Sequence, residues 1–179
     1  EDADYEGGRV KFTGFLGKSR IPMQIDFGFG DITYPLPKMI NYPVILDFPA
    51  PRLKGYAPET VVSEKFEAMV QLGSLNSRMK DFYDVWLLMR RFDFDGTSLA
   101  ESLKRTFTHR KTLFPQGGKL FDDEIYDDKS DRQTLWKTFL KKVSIKHAPE
   151  KLSTIARGIE EFLIKPLDAV NKARVFKEK

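Results

Sequence analysis

Three ionisable side chains interrupt the most apolar run of the chain. In SEKFEAMVQLGSLNSRMKDFYDVWLL, residues 63–88, Lys65, Asp81 and Asp84 stand among Phe, Met, Val, Trp and Leu. A lysine amine is a compact point charge suited to phosphate oxygens. A carboxylate within reach of it can orient it or take a proton. Isolated buried carboxylates are costly, so Asp81 and Asp84 need either partners or a role.

At helical spacing, Val61, Lys65, Ala68 and Leu72 share one face, and Val62, Phe66 and Met69 share the next. Lys65 therefore lies inside an apolar arc beside the small Ala68. One reading is a lysine whose stem covers apolar surface while its amine reaches water. The other is a lysine at a cleft wall, aimed at an anionic ligand such as a triphosphate. For the carboxylates, Arg78, Lys80 or a helix N-terminus are the candidate structural partners. If both carboxylates are structural, each calls for its own cation.

Asp26 is a third feature. It sits mid-strand, facing opposite to Met23, Ile25 and Phe27. It is either a solvent-facing strand residue or a carboxylate on the floor of a site near the glycines of FGFGD. Weaker signals read as structure. Gly28 and Gly30 open no helix, so they form no dinucleotide fingerprint. Asp93 and Asp95 fall in a turn and cap. The acidic residues Asp122, Asp123, Asp127 and Asp128 read as a solvated face.

The elements that must position these residues change type along the chain. Arg9 to Leu46 has β texture: RVKFTGFL and IPMQIDF alternate on either side of the polar break GKSR, which predicts an antiparallel hairpin. NYPVILDF reads as a further short strand. From Pro58 onward the period is helical. Pro58 starts a helix and Gly73 ends it. NSRMKDFYDVWLLMRRF forms a second, with Asn76 or Ser77 as cap. A third follows Asp95–Gly96, with Ser98 and Glu101 as a capping box. LFPQGGKLF is a loop. SDRQTLWKTFLKKV and PEKLSTIARGIEEFLIKPL are two more helices, and the basic tail VNKARVFKEK frays. The fold class is α+β: a small antiparallel or mixed sheet in a strand-rich part, residues 1–57, then about five helices in residues 58–179.

The chain has 179 residues, 31% charged, with net charge +4, which permits contact with phosphates without demanding it. It contains no cysteine, so thiolate zinc sites and disulfides are excluded. With only two histidines, His109 and His147, a metal would be held by carboxylates, pointing to magnesium or manganese. No apolar run reaches the roughly 18–20 residues of a membrane span. No signal peptide is visible, so the default location is cytoplasmic. The opening EDADYEGGRVKF carries no methionine and runs at once into strand-like sequence.

IPMQIDFGFGDI, followed by the run from Tyr42 to Phe94, resembles the AbiEii/AbiGii toxin family of nucleotidyltransferase-like proteins from abortive-infection, type IV toxin–antitoxin systems. The family's K-x-x-A helix is matched by Lys65 and Ala68. Its R-x-K-D stretch with a following aspartate is matched by Arg78, Lys80, Asp81 and Asp84. The resemblance implies transfer of a nucleoside monophosphate from an NTP to an acceptor, with the 3′ end of tRNA one such RNA, in the presence of Mg2+. It implies Lys65 as the phosphate-binding cation and Arg78 and Lys80 as nucleotide-binding residues. Asp81 would orient Lys65 or act as base, Asp84 would support it, and Asp26 would be a metal carboxylate. A cognate antitoxin is an implied partner. The family's first motif, a glycine–serine turn followed by a D-x-D pair on a strand, is absent. That departure implies a fragment of a larger enzyme, inactive alone. The alternative is a non-catalytic helical module that binds an antitoxin or nucleic acid, with Lys65 and Asp81 paired structurally.

Overall fold

The computed structural model describes residues 7–115 and 120–175, without the side chains of residues 123, 124 and 173–175. The first residues, part of the 113–121 loop, the Asp123 side chain and the last four residues of the basic tail thus lie outside the described set. The chain divides into two compact units, Glu1–Ile32 and Thr33–Lys179. The change from strand to helix that the sequence shows near Pro58 falls inside the second unit. No helix among the described residues is long and apolar enough to cross a membrane.

The first unit is the expected antiparallel hairpin: β1 (Gly7–Leu16) paired with β2 (Ser19–Gly28). The break is shorter than GKSR, because Ser19 already pairs with Leu16. Gly17 has φ 59, the left-handed first position that a two-residue type II′ turn requires. In this register Val10 faces Ile25 and Phe12 faces Met23, so one side of the hairpin is apolar. Arg9 faces Asp26 and Lys11 faces Gln24 on the other side. Among the described residues nothing within the unit layers over the apolar side, and Val10, Phe12, Met23, Ile25 and Phe27 are all exposed.

The second unit begins with a small hairpin, β3 (Lys38–Asn41) and β4 (Arg52–Gly55). This corrects the strand expected over NYPVILDF. Pairing reaches Asn41 and stops, and residues 45–48 form a bend. Pro43, Pro49 and Pro51 punctuate the connection, and proline can donate no ladder hydrogen bond.

The helices are α1 (Pro58–Leu72), α2 (Met79–Arg91), α3 (Gly96–His109), the single turn α4 (Asp123–Tyr126), α5 (Asp131–Lys142) and α6 (Leu152–Val175). α1 starts and stops where Pro58 and Gly73 place it, with Gly73 at φ 48. α2 starts later than expected. Its N-cap is Arg78, while the Asn76 side chain accepts the Arg78 backbone N–H at 2.8 Å as a local turn. α3 is capped by Asp95, whose side chain accepts the Ser98 N–H at 2.7 Å, rather than by a Ser98–Glu101 box. Glu101 pairs instead with Arg105 one turn on. The tail does not fray where expected: α6 runs through Pro166 to Val175.

The core gathers Val62, Phe66 and Met69 of α1, Phe82 and Val85 of α2, Leu99, Leu103 and Phe107 of α3, Trp136 of α5, and Leu152, Ile155, Ile159 and Leu163 of α6. Each such side chain contributes about 1.5–3 kcal/mol by leaving water. Polar ties fix how the helices meet. The Ser63 hydroxyl donates to Ser102 at 2.9 Å, joining α1 to α3. Buried Gln133 donates to Glu150 O and accepts the Leu152 N–H, which caps α6. Thr60 brackets the backbone of Tyr34 with two hydrogen bonds.

Glu67 is fully buried in α1. It accepts from Arg110 Nη1 at 2.7 Å and from the Thr112 hydroxyl. Removing one member of such a pair strands the other charge. Glu67→Ala is expected to cost about 3–5 kcal/mol of unfolding free energy in urea titrations. A loss below about 0.5 kcal/mol, the usual scale of surface changes, would show that the pair does not tie α1 to the end of α3.

Candidate phosphate-binding site between helices α1 and α2

α1 carries Lys65 on its flank toward α2, and α2 presents Asp81 and Asp84 one turn apart. The three side chains meet. Lys65 Nζ lies 2.7 Å from Asp81 Oδ1 and 2.9 Å from Asp84 Oδ2. Lys80 Nζ, from the next turn of α2, approaches Asp84 Oδ2 at 2.5 Å. The side chains of Lys65, Asp81 and Asp84 are 22%, 14% and 19% exposed. The two carboxylates thus do not each need a private cation, since one amine serves both and Lys80 adds to Asp84.

Burial of the Lys65 amine disfavours its charge, but hydrogen bonds and attraction from Asp81 and Asp84 more than offset it. Its pKa is raised above the ordinary value. Lys65 is therefore an ammonium, not a base. An ammonium has three N–H donors. Two go to the carboxylates, and the third is left for an oxygen approaching from solvent.

Beside this cluster runs a groove of about 520 Å3, in which Arg78, Lys80 and Asp81 of α2 face Thr138, Phe139 and Lys142 of α5. Arg78 and Lys80 are both exposed. Sequence spacing did not expose the α5 contribution, because residues some 60 positions apart meet only through packing. KTFLKK reads locally as a solvated basic face.

Asp26 belongs to the first unit. On the polar side of its hairpin it receives Arg9 Nε at 2.6 Å, Arg9 Nη2 at 3.2 Å and Gln24 Nε2 at 3.0 Å. The Arg9 hydrogen bond holds its carboxyl below the usual range, outweighing the opposing effect of burial. Among the described residues no three carboxylate or imidazole side chains converge as metal ligands. Asp26 is engaged by a guanidinium, and Asp81 and Asp84 by amines. These residues, paired as they are, do not fit a magnesium site.

The family model for the nucleotidyl transferase AbiEii toxin, type IV TA system, matches residues 1–163. The chain belongs to the AbiEii toxin family. That match runs from the hairpin into α6 and includes every residue of the Lys65 cluster. No curated protein and no solved structure shows a significant match. As AbiEii proteins are toxins of a toxin–antitoxin system, an antitoxin is the partner the family implies.

The raised Lys65 pKa sets a sign. A group whose folded pKa lies above its unfolded one stabilises fully below the unfolded value, and that stabilisation is lost as pH rises through the folded value. The stability difference between the protein and Lys65→Met is expected to be flat from neutral pH to about 10, the ordinary lysine range. Above that it should shrink. Denaturant midpoints measured across this range give the answer, and a difference that grows above pH about 10.5 would contradict the pairing.

Proposed function

We propose that the second unit supplies the cationic half of a nucleotidyl-transfer site. An acceptor oxygen attacks the α-phosphorus of an NTP. The bond from that phosphorus to the bridging oxygen breaks, and pyrophosphate leaves. Lys65 offers its third N–H to a phosphate oxygen, and Arg78 and Lys80 bind the remaining phosphate charge along the groove. Asp81 and Asp84 hold the ammonium in place, and Asp81, at the groove edge, is positioned to receive the acceptor proton. The acceptor is an RNA, with the 3′ end of tRNA the specific candidate.

The observation that carries this reading is the Lys65 ammonium clamped by two carboxylates yet still in reach of solvent beside Arg78 and Lys80. The proposal gives Asp26 no part in the transfer, since Arg9 already engages its carboxylate. The natural setting of such a reaction is the cytoplasm.

A second reading is favoured by the same clamp: a non-catalytic module for antitoxin or nucleic acid, in which Lys65 is only a tie between α1 and α2. Lys65→Arg separates the two. It keeps the charge and the tie but replaces a point charge by a planar fork. In the full-length protein, Lys65→Arg and Asp81→Ala are each expected to lower toxicity by at least about 100-fold, the scale of losing one oriented charge or donor at a transfer site, with melting temperature checked. Full toxicity in folded Lys65→Arg favours the module. The 179-residue chain alone is expected to show no transfer from radiolabelled NTP to RNA. Robust transfer would show that the chain needs no further carboxylates.

A further inference from the structure

The other face of α2 holds a groove that the Lys65 cluster does not use. Its volume is about 740 Å3, and it lies between α2, the segment before α6, and the start of α6. Trp86 follows Asp84 by two positions, about 200° around the helix, so the groove and the cluster lie on opposite flanks of α2.

The groove is built from rings and arginines. The His147 ring stacks on Trp86 with centroids 6.4 Å apart and planes at 28°. His147 Nε2 and the Tyr83 hydroxyl share a hydrogen bond at 2.9 Å, which fixes the imidazole while its side chain stays exposed. Arg90, one turn beyond Trp86, lies 5.1 Å over the indole. Arg157 reaches in from α6, its Nε donating to Ser153 O at 3.3 Å. Among the described residues, neither arginine pairs with a carboxylate. Among the described residues lining this groove, Glu161 on the rim is the acidic one, while Arg157 also borders a neighbouring cleft that holds Asp127 and Asp128.

We infer that this groove binds single-stranded RNA, one nucleotide filling it, with a base stacked on the exposed His147 ring that the buried Trp86 backs, and a backbone phosphate between Arg90 and Arg157. The volume falls within the roughly 300–1,000 Å3 of small-ligand clefts. A fixed aromatic pair beside unpaired guanidinium groups matches the stacking platform and cationic track of sequence-tolerant single-strand sites. An acidic peptide would use the arginines but not the ring pair. The inference rests on the proposed function only in taking the acceptor to be RNA. Its test reads binding rather than transfer.

The experiment is fluorescence anisotropy of a fluorescein-labelled eight-nucleotide poly-U RNA against this chain, over a salt series. The unaltered chain is expected to bind. Arg90→Ala with Arg157→Ala should weaken binding at least tenfold. It should also flatten the dependence of log affinity on log salt by about 0.7 for each lost phosphate contact. Glu161→Gln should tighten binding, a change that a purely structural groove would not produce. Thr97→Ala, exposed at the start of α3 and outside both grooves, should bind RNA as the unaltered chain does. The readout is binding alone, so its failure and a failure of transfer by the Lys65 variants remain separate results. Circular dichroism melting confirms that each variant is folded. Three outcomes overturn the inference: no binding by the unaltered chain at low salt, no effect of the double arginine change, or displacement of the RNA by poly-glutamate as effective as by unlabelled RNA of equal charge.

Discussion

A buried charge must be answered, and in the second unit the answer fixes how two helices meet. The Lys65 ammonium is mostly withdrawn from water, and only the Asp81 and Asp84 oxygens at 2.7 and 2.9 Å make that tolerable. Because those carboxylates sit one turn apart on α2, the amine can reach both only if α1 and α2 keep a particular offset. The short link between the helices serves the same end. Gly73 stops α1, and Asn76, buried at the turn, holds the backbone of Arg78 at the start of α2. Beneath the charges, Val62, Phe66, Phe82 and Val85 supply the apolar contact that keeps the helices together. Packing sets the distance between the helices, and the ion cluster sets how they are aligned.

That division explains what could be read from the residues alone. The hairpin, the limits of α1 and the placement of Lys65 inside an apolar arc all follow from local rules: alternation, a proline at the first turn, a glycine at the end, and helical spacing. The cap of α2 did not follow, because Asn76 and Ser77 carry the side chains that suit an N-cap, and only the turn between the helices puts Arg78 there instead. α6 ran past the expected end because Leu167 and Val170 still find the core, which overrides the basic character of the tail. Glu67 gave no signal. A glutamate in a helix is ordinarily solvated, and only Arg110 and Thr112, more than 40 residues away, make its burial possible. For the site, the cationic and acidic members were legible as misplaced charges, and the family resemblance named them. The α5 wall of the groove was not, because no local pattern links Thr138 and Lys142 to Arg78.

The two flanks of α2 show how one amphipathic element can be loaded differently on each side. Toward α1 it carries carboxylates that hold a cation. Toward α6 it carries Trp86 and Arg90, a ring and a cation that hold nothing charged. The first arrangement is neutral in sum, since Lys65 and Lys80 balance Asp81 and Asp84. The second leaves positive charge uncompensated at the surface. Both depend on the same buried stripe of Phe82 and Val85 to orient the helix.

The β1–β2 hairpin has a bearing on how the protein behaves in solution. Both of its strands are edge strands, and one side is a row of exposed valine, isoleucine, methionine and phenylalanine side chains. Edges of this kind pair with whatever strand is offered, and apolar sides seek cover. Whatever completes this sheet has to provide a strand and a lid together. Where neither is supplied, copies of the hairpin are each other's nearest substitute. Self-association would then begin at this hairpin, and trimming residues 7–28 would remove both the open edges and the apolar side that invite it.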